Sequence, residues 1–174
     1  MPKKLYSVQN RRRARELAVQ LLYSLDARPD GNIGDSVDVF MSKEGFAFEE
    51  NAEVKEYLRS LVEGVWRKRH DIDNKMRMVL TGWRPERMVA VDRAVIRLAI
   101  FEGFLENTVP MPVAISEAVT MARFFGTEES GKFVNGVLGK VARLAEAPKD
   151  KSRNAIQIND KISNMDDDDA TSTS

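Results

Sequence analysis

The chain has 174 residues, 43% hydrophobic and 31% charged, enough for one domain that buries roughly 70% of its unfolded surface. With no cysteine and one histidine, disulfides and thiolate metal sites are excluded and a reducing compartment fits. No apolar run approaches the ~18 residues of a membrane helix, and Met1-Pro2-Lys3-Lys4 leads into no apolar signal core, so a cytoplasmic location is expected.

The formal net charge is zero, but its distribution is uneven. Lys3, Lys4, Arg11, Arg12, Arg13 and Arg15 gather near the N-terminus with no acid among them, and Asp166-Asp167-Asp168-Asp169 stand near the other end. That split suggests a basic binding arm and an acidic tail.

In chain order, Ala18, Leu21, Leu22 and Leu25 follow the i, i+3, i+4, i+7 template and predict a first helix over about residues 9–26. Pro29, Gly31 and Gly34 break it. Val37, Phe40 and Met41 suggest a short helix in the poorly patterned stretch 35–50. Val54, Tyr57, Leu58, Leu61, Val62, Val65 and Trp66 line a helix over about 51–69, which His70 closes. Ile72, Met76, Val79 and Leu80 continue a helical pattern to Gly82.

Pro85 suits the first turn of the next helix, where its missing N–H costs nothing. Met88, Val91, Val95, Leu98 and Ala99 form that helix's inward stripe, while Ala94, Ile96, Ile100 and Phe101 make it apolar almost all round, as expected for a buried centre. Beyond Pro110 and Pro112, Ala114, Ala118, Val119 and Ala122 start another helix, and Gly126 suits a stop at positive φ. Thr127 then caps a last helix with Glu128 and Glu129 in its first turn, lined by Phe133, Val134, Val137, Leu138 and Val141. No alternating pattern competes, so the fold class is all-α. We expect a helical domain over 1–147, with 1–8 as a flexible basic arm, and a disordered polar tail over 148–174.

Catalytic chemistry is poorly supplied, and no catalytic residue, cofactor or metal site is assigned. His70 reads as an ordinary helix-terminal residue. Gly131, Gly136 and Gly139 imitate a phosphate loop, but Gly136 is followed by Val-Leu and no strand precedes it. Glu49-Glu50 and Glu128-Glu129 lack a companion acid or base and read as solvated surface.

The arginine run carries the functional signal. Cations at a helix N-terminus oppose the helix dipole, so folding alone would favour Asp or Glu there. Arginine stands at all four positions, and its planar fork holds phosphate at two points and stacks on bases. Arg11 and Arg15 are four apart and share a face, Arg12 and Arg13 fan to the sides, and Tyr23 lies two turns further on. Without a DNA-reading motif or broad basic face, single-stranded RNA is the better target. Four phosphate contacts predict a log–log salt slope near −3, or roughly fifty-fold weakening from about 50 to 200 mM salt.

The segment Arg11-Arg12-Arg13-Ala14-Arg15-Glu16-Leu17-Ala18-Val19-Gln20-Leu21-Leu22-Tyr23 resembles the arginine-rich helix of the NusB family of bacterial transcription antitermination factors. So do Val91 to Ala99, Pro112 to Val119, Phe124 to Ser130, and Lys132-Phe133-Val134-Asn135-Gly136-Val137-Leu138, in the family's order. The resemblance implies about seven helices in two packed three-helix halves. It implies a non-enzymatic adaptor that binds boxA RNA of ribosomal RNA transcripts together with NusE, a small-subunit ribosomal protein. That pair joins other Nus factors on RNA polymerase, and some members form homodimers.

Carried over by motif, the RNA surface comprises Arg11, Arg12, Arg13, Arg15, Tyr23, Phe125, Gly126, Glu129, Lys132 and Phe133, and the partner surface Asp92 and Glu102. From the residues alone, Phe125 and Phe133 read as core ahead of base platforms, Gly126 as a helix stop and Glu129 as a base-edge hydrogen-bond acceptor or a helix cap. Residues 27–52 match the family poorly. The alternatives are an accessory domain of a ribosomal RNA methyltransferase and a protein-binding module whose arginines meet an acidic partner.

Overall fold

A computed structural model describes residues 7–28, 31–43 and 52–146, and these are helical throughout apart from short connections. Six α-helices are present among them: α1 (Val8–Ala27), α2 (Ile33–Lys43), α3 (Ala52–Val79), α4 (Ala90–Ile100), α5 (Met111–Phe125) and α6 (Glu128–Glu146). The chain divides into two compact units, 1–140 and 141–174, and of the second the structure describes only the last residues of α6. The expected tail over 148–174 and most of the expected arm lie outside the described residues. Among the described residues no helix is long and apolar enough to cross a membrane.

Helix α1 starts one residue earlier than its pattern predicts because Ser7 caps it: extended at φ −65°, ψ 152°, its hydroxyl accepts from the Asn10 N–H at 3.1 Å. Its inward stripe of Leu17, Ala18, Leu21, Leu22 and Leu25 is buried against α3 and α4. Val37 and Met41 of α2 are buried, and α2 packs on α3.

The expected break near His70 is absent. Residues 52–79 form one 28-residue helix, since nothing between Arg69 and Ile72 disfavours helix, and His70 is exposed mid-helix. This fusion accounts for six helices among the described residues where about seven were expected. Helix α3 reaches α1, α2 and α4. At Gly64 a Cβ would fall 2.1 Å from Phe101 Cζ, so the ring can lie on the helix backbone only because the side chain is missing.

Pro85 opens a separate 3-10 turn, Pro85–Arg87, and α4 begins later, at Ala90. The Arg93 guanidinium donates from Nη1 to the Pro85 carbonyl at 2.6 Å, which fixes that turn against α4. Every residue of 94–100 is buried, as the all-round apolar pattern predicts. Arg97 joins them because Asp73 and Asp26 pair with it at 2.5 and 3.0 Å. Burial opposes its charge, yet these carboxylates hold its pKa above the usual arginine value.

After α4 the chain makes a π turn, Phe101–Leu105, closed by the Glu106 N–H on the Phe101 carbonyl at 2.9 Å. Helix α5 packs on α4 and this turn, and Thr127 accepts from the Ser130 N–H at 3.2 Å to cap α6. Helices α1 and α2 thus pack on α3, α5 packs on α4, and the two groups join where α4 meets α1 and α3.

Candidate nucleic-acid interface

The four arginines separate by depth. Arg12 and Arg13 are exposed on the first turns of α1, and both lean toward Glu16, with Nε–Oε1 3.6 Å and Nη1–Oε2 3.9 Å. Neither distance is a hydrogen bond, and such exposed pairs hold their partners weakly, so a phosphate can replace Glu16. Arg11 is half-buried beside them.

Arg15 lies inside, 4% exposed. Its Nε and Nη2 donate to the Glu102 carboxylate at 2.8 Å each, and Nη1 meets Glu117 at 3.4 Å. The Tyr57 hydroxyl also donates to Glu102, and the guanidinium stands 6.0 Å from the Tyr57 ring centre. The expectation that Arg15 shares the run's surface fails on helical geometry: at 100° per residue it falls in the arc of Ala18, Val19 and Leu22. Arg12 and Arg13 fall outside that arc.

Arg12 and Tyr23 are eleven residues apart, three turns, so they lie on one face about 16 Å apart along the axis. Tyr23 is 54% exposed and lines a groove of about 460 Å³ with Val19, Gln20, Val89, Phe125 and Gly126. Tyr23, Phe125 and Gly126, from opposite ends of the sequence, therefore converge. Phe125 carries Phe124 edge-on at 4.9 Å, and Phe124 is 74% exposed.

Gly126 does end α5, but at φ −119°, ψ −119° rather than positive φ. Glycine is needed there for space: a Cβ would sit 2.8 Å from both the Ala122 carbonyl and Ser130 Oγ. Glu129 and Lys132 are exposed on α6 and pair at 2.7 Å. Phe133 is half-exposed but lines a different cavity, with Trp83 and Asp92.

Asp92 and Glu102, expected on a partner surface, are both inside, 4% and 1% exposed. Glu102 is consumed by Arg15 and Tyr57. Asp92 accepts from the Ser130 hydroxyl, and burial raises its carboxyl above the usual aspartate range against that hydrogen bond. Sequence reasoning missed Gln20, Val89, Phe124 and Trp83. Gln20 was findable, one turn before Tyr23 on the outer side of the helix. Among the described residues no group of three His, Cys, Asp or Glu side chains could hold a metal.

Residues 12–143 match the model of the NusB family. The transcription antitermination protein NusB of Symbiobacterium thermophilum is 39% identical over 137 residues, 77% of this chain and 90% of that protein. That of Anaeromyxobacter dehalogenans strain 2CP-1 is 44% identical over 133 residues, 76% and 89%. Among solved structures, T. maritima NusB is similar with a TM-score of 0.68 at 33% identity, over 82% of this chain and 96% of that one. A chain of the crystal structure of antitermination factors NusB and NusE in complex with dsRNA gives 0.70 at 25% identity, over 79% and 99%. The inward arginine, the Phe-Gly turn and the central apolar helix thus stand in a chain that belongs to the NusB family.

Proposed function

We propose that this protein is a non-catalytic transcription antitermination adaptor that binds boxA RNA of ribosomal RNA transcripts together with NusE and joins the complex on RNA polymerase. The observation that carries this reading is the single face of α1 that leads from the exposed Arg12 and Arg13 to the Tyr23–Phe125–Gly126 groove. Guanidinium groups at one end suit phosphates, and aromatic surface at the other suits unstacked bases. Two curated relatives are named as transcription antitermination proteins, and a structural neighbour holds NusE and dsRNA.

Arg11, Arg12, Arg13, Tyr23, Phe125, Gly126 and Lys132 form the proposed RNA surface, with Glu129 setting Lys132 and Arg15 acting from inside as a positioning residue. Single-stranded RNA is favoured because stacking on Tyr23 and Phe125 needs splayed bases. Asp92 and Glu102 are not proposed as direct contacts to NusE, since both are internal.

The test is fluorescence anisotropy with boxA RNA, scrambled RNA and a boxA duplex, each with and without NusE. Preference for single-stranded boxA that strengthens with NusE is the expected result. Equal binding to scrambled RNA in both conditions sinks the boxA reading, and binding to no RNA sinks the RNA reading altogether.

A further inference from the structure

A cavity of about 680 Å³ lies between the 80–89 connection, α4 and α6, next to the Tyr23 groove, with which it shares Val89. Trp83, Asp92, Phe133, Arg84, Arg87 and Lys140 are among its lining residues. Two of them carry unsatisfied buried polar atoms: Trp83 Nε1, a donor, and Asp92 Oδ1, an acceptor. Both side chains are more than nine-tenths buried. Unpartnered buried polar atoms are rare in folded proteins, and two lining one cavity call for a ligand that supplies their partners.

The chemistry narrows the ligand. It needs an N–H donor for Asp92 and a nearby acceptor for the Trp83 indole N–H. It needs a flat apolar body to lie between Trp83 and the half-exposed Phe133. Arg84, Arg87 and Lys140 are exposed and have no acidic partner among the described residues, so the rim is positive. A positive rim disfavours a cationic side chain from a protein partner, although Asp92 alone would accept one, and it favours phosphate. A purine nucleotide meets all four demands.

We infer that this cavity is a base pocket that takes one purine nucleotide, with the base N–H donors on Asp92, the indole N–H on a base acceptor, and the phosphate on Arg84, Arg87 and Lys140. The inference deepens the RNA reading, on which the choice of a nucleotide over other flat anions rests. It adds a second, base-selective point of contact to the α1 face.

The indole N–H proton of Trp83 is the reporter, assigned in NMR spectra by its loss in Trp83→Phe, with the Trp66 indole as internal control. Titration of the full chain with guanosine, adenosine and cytidine 5′-monophosphates should move the Trp83 resonance for both purines, and more weakly for cytidine. Asp92→Asn should weaken the purine response by about tenfold, the loss of one hydrogen bond to a charged acceptor, with Trp66 unmoved to show that the fold persists. An unmoved Trp83 resonance in a protein that binds RNA overturns the pocket and leaves the RNA reading intact. Purine binding at Trp83 in a protein that binds no RNA supports the pocket and removes the RNA reading. An Asp92→Asn titration identical to that of the parent overturns the assignment.

Discussion

The Arg15 guanidinium closes on the Glu102 carboxylate through two hydrogen bonds of 2.8 Å, deep inside the protein. One arginine of the run is thereby removed from the surface, and the π turn that carries Glu102 is tied to α1. Ions in such a position are strongly interdependent: removing one partner strands the other without water.

Arg15→Ala should cost about 3–5 kcal/mol of stability, because Glu102 would be left buried without the cation its site is built around. Urea denaturation measures this. Arg15→Met combined with Glu102→Leu should recover much of the loss, since replacing both ions removes the stranded charge. A single-mutant cost under ~1 kcal/mol would contradict the buried pairing.

Salt dependence separates the arginines by depth. With Arg15 engaged inside, three contacts from the run predict a log–log slope near −2, or about twenty-fold weakening between roughly 50 and 200 mM salt. The four-contact figure of fifty-fold should not be reached by the run alone. Arg12→Ala and Arg13→Ala should each flatten the slope by about 0.7 with the thermal midpoint almost unchanged.

Gly64→Ala should be destabilising out of proportion to one methyl group. The new Cβ would enter the Phe101 ring, and overpacking of this kind costs about 1–3 kcal/mol. Thermal unfolding reads the loss, and adding Phe101→Leu should return part of it. Additive losses would mean that the two residues are not in contact.

Asp92 gives a pH signature. Its folded pKa lies above its unfolded value because burial disfavours the carboxylate. The folded state therefore binds this proton more tightly, and ionisation of Asp92 weakens the fold as pH rises through the folded pKa. Asp92→Asn should raise the thermal midpoint at neutral pH. That gain should shrink as pH falls through the folded pKa and vanish below the unfolded one. A gain that persists in acid would assign it to packing instead of charge.

Most of the helical order was legible because apolar side chains recur at 3.6-residue spacing wherever a face is buried. The stripe from Val54 to Trp66 and the all-apolar 94–100 segment each became a buried face of the expected helix. The false break at His70 fell where the apolar stripe pauses between Trp66 and Ile72, although no glycine or proline stands there. Arg15 was misplaced for a different reason. It sits three residues before Ala18 and seven before Leu22, on the inward stripe itself, but its charge directed attention outward. Glu102, its partner 87 positions away, has no local signal at all. The Tyr23–Phe125 groove likewise depends on contact between the first and fifth helices and became visible only once the chain was folded.

Arg15 and Asp26 anchor the inward side of α1. The first is held by Glu102, the second by Arg93 and Arg97 of α4 at 2.9 and 3.0 Å. The eleven-residue rise from one to the other covers about 16 Å of helix that cannot shift without breaking a buried ion pair at one end and part-buried ones at the other. The backbone between these anchors, which carries Tyr23, is therefore held in shape before any ligand arrives, and the ordering left to the protein is that of its exposed side chains. A ligand that adapts to this fixed backbone would carry most of the remaining ordering, so under the proposed function its own stiffness would weigh more on the entropy of the complex than any rearrangement of α1.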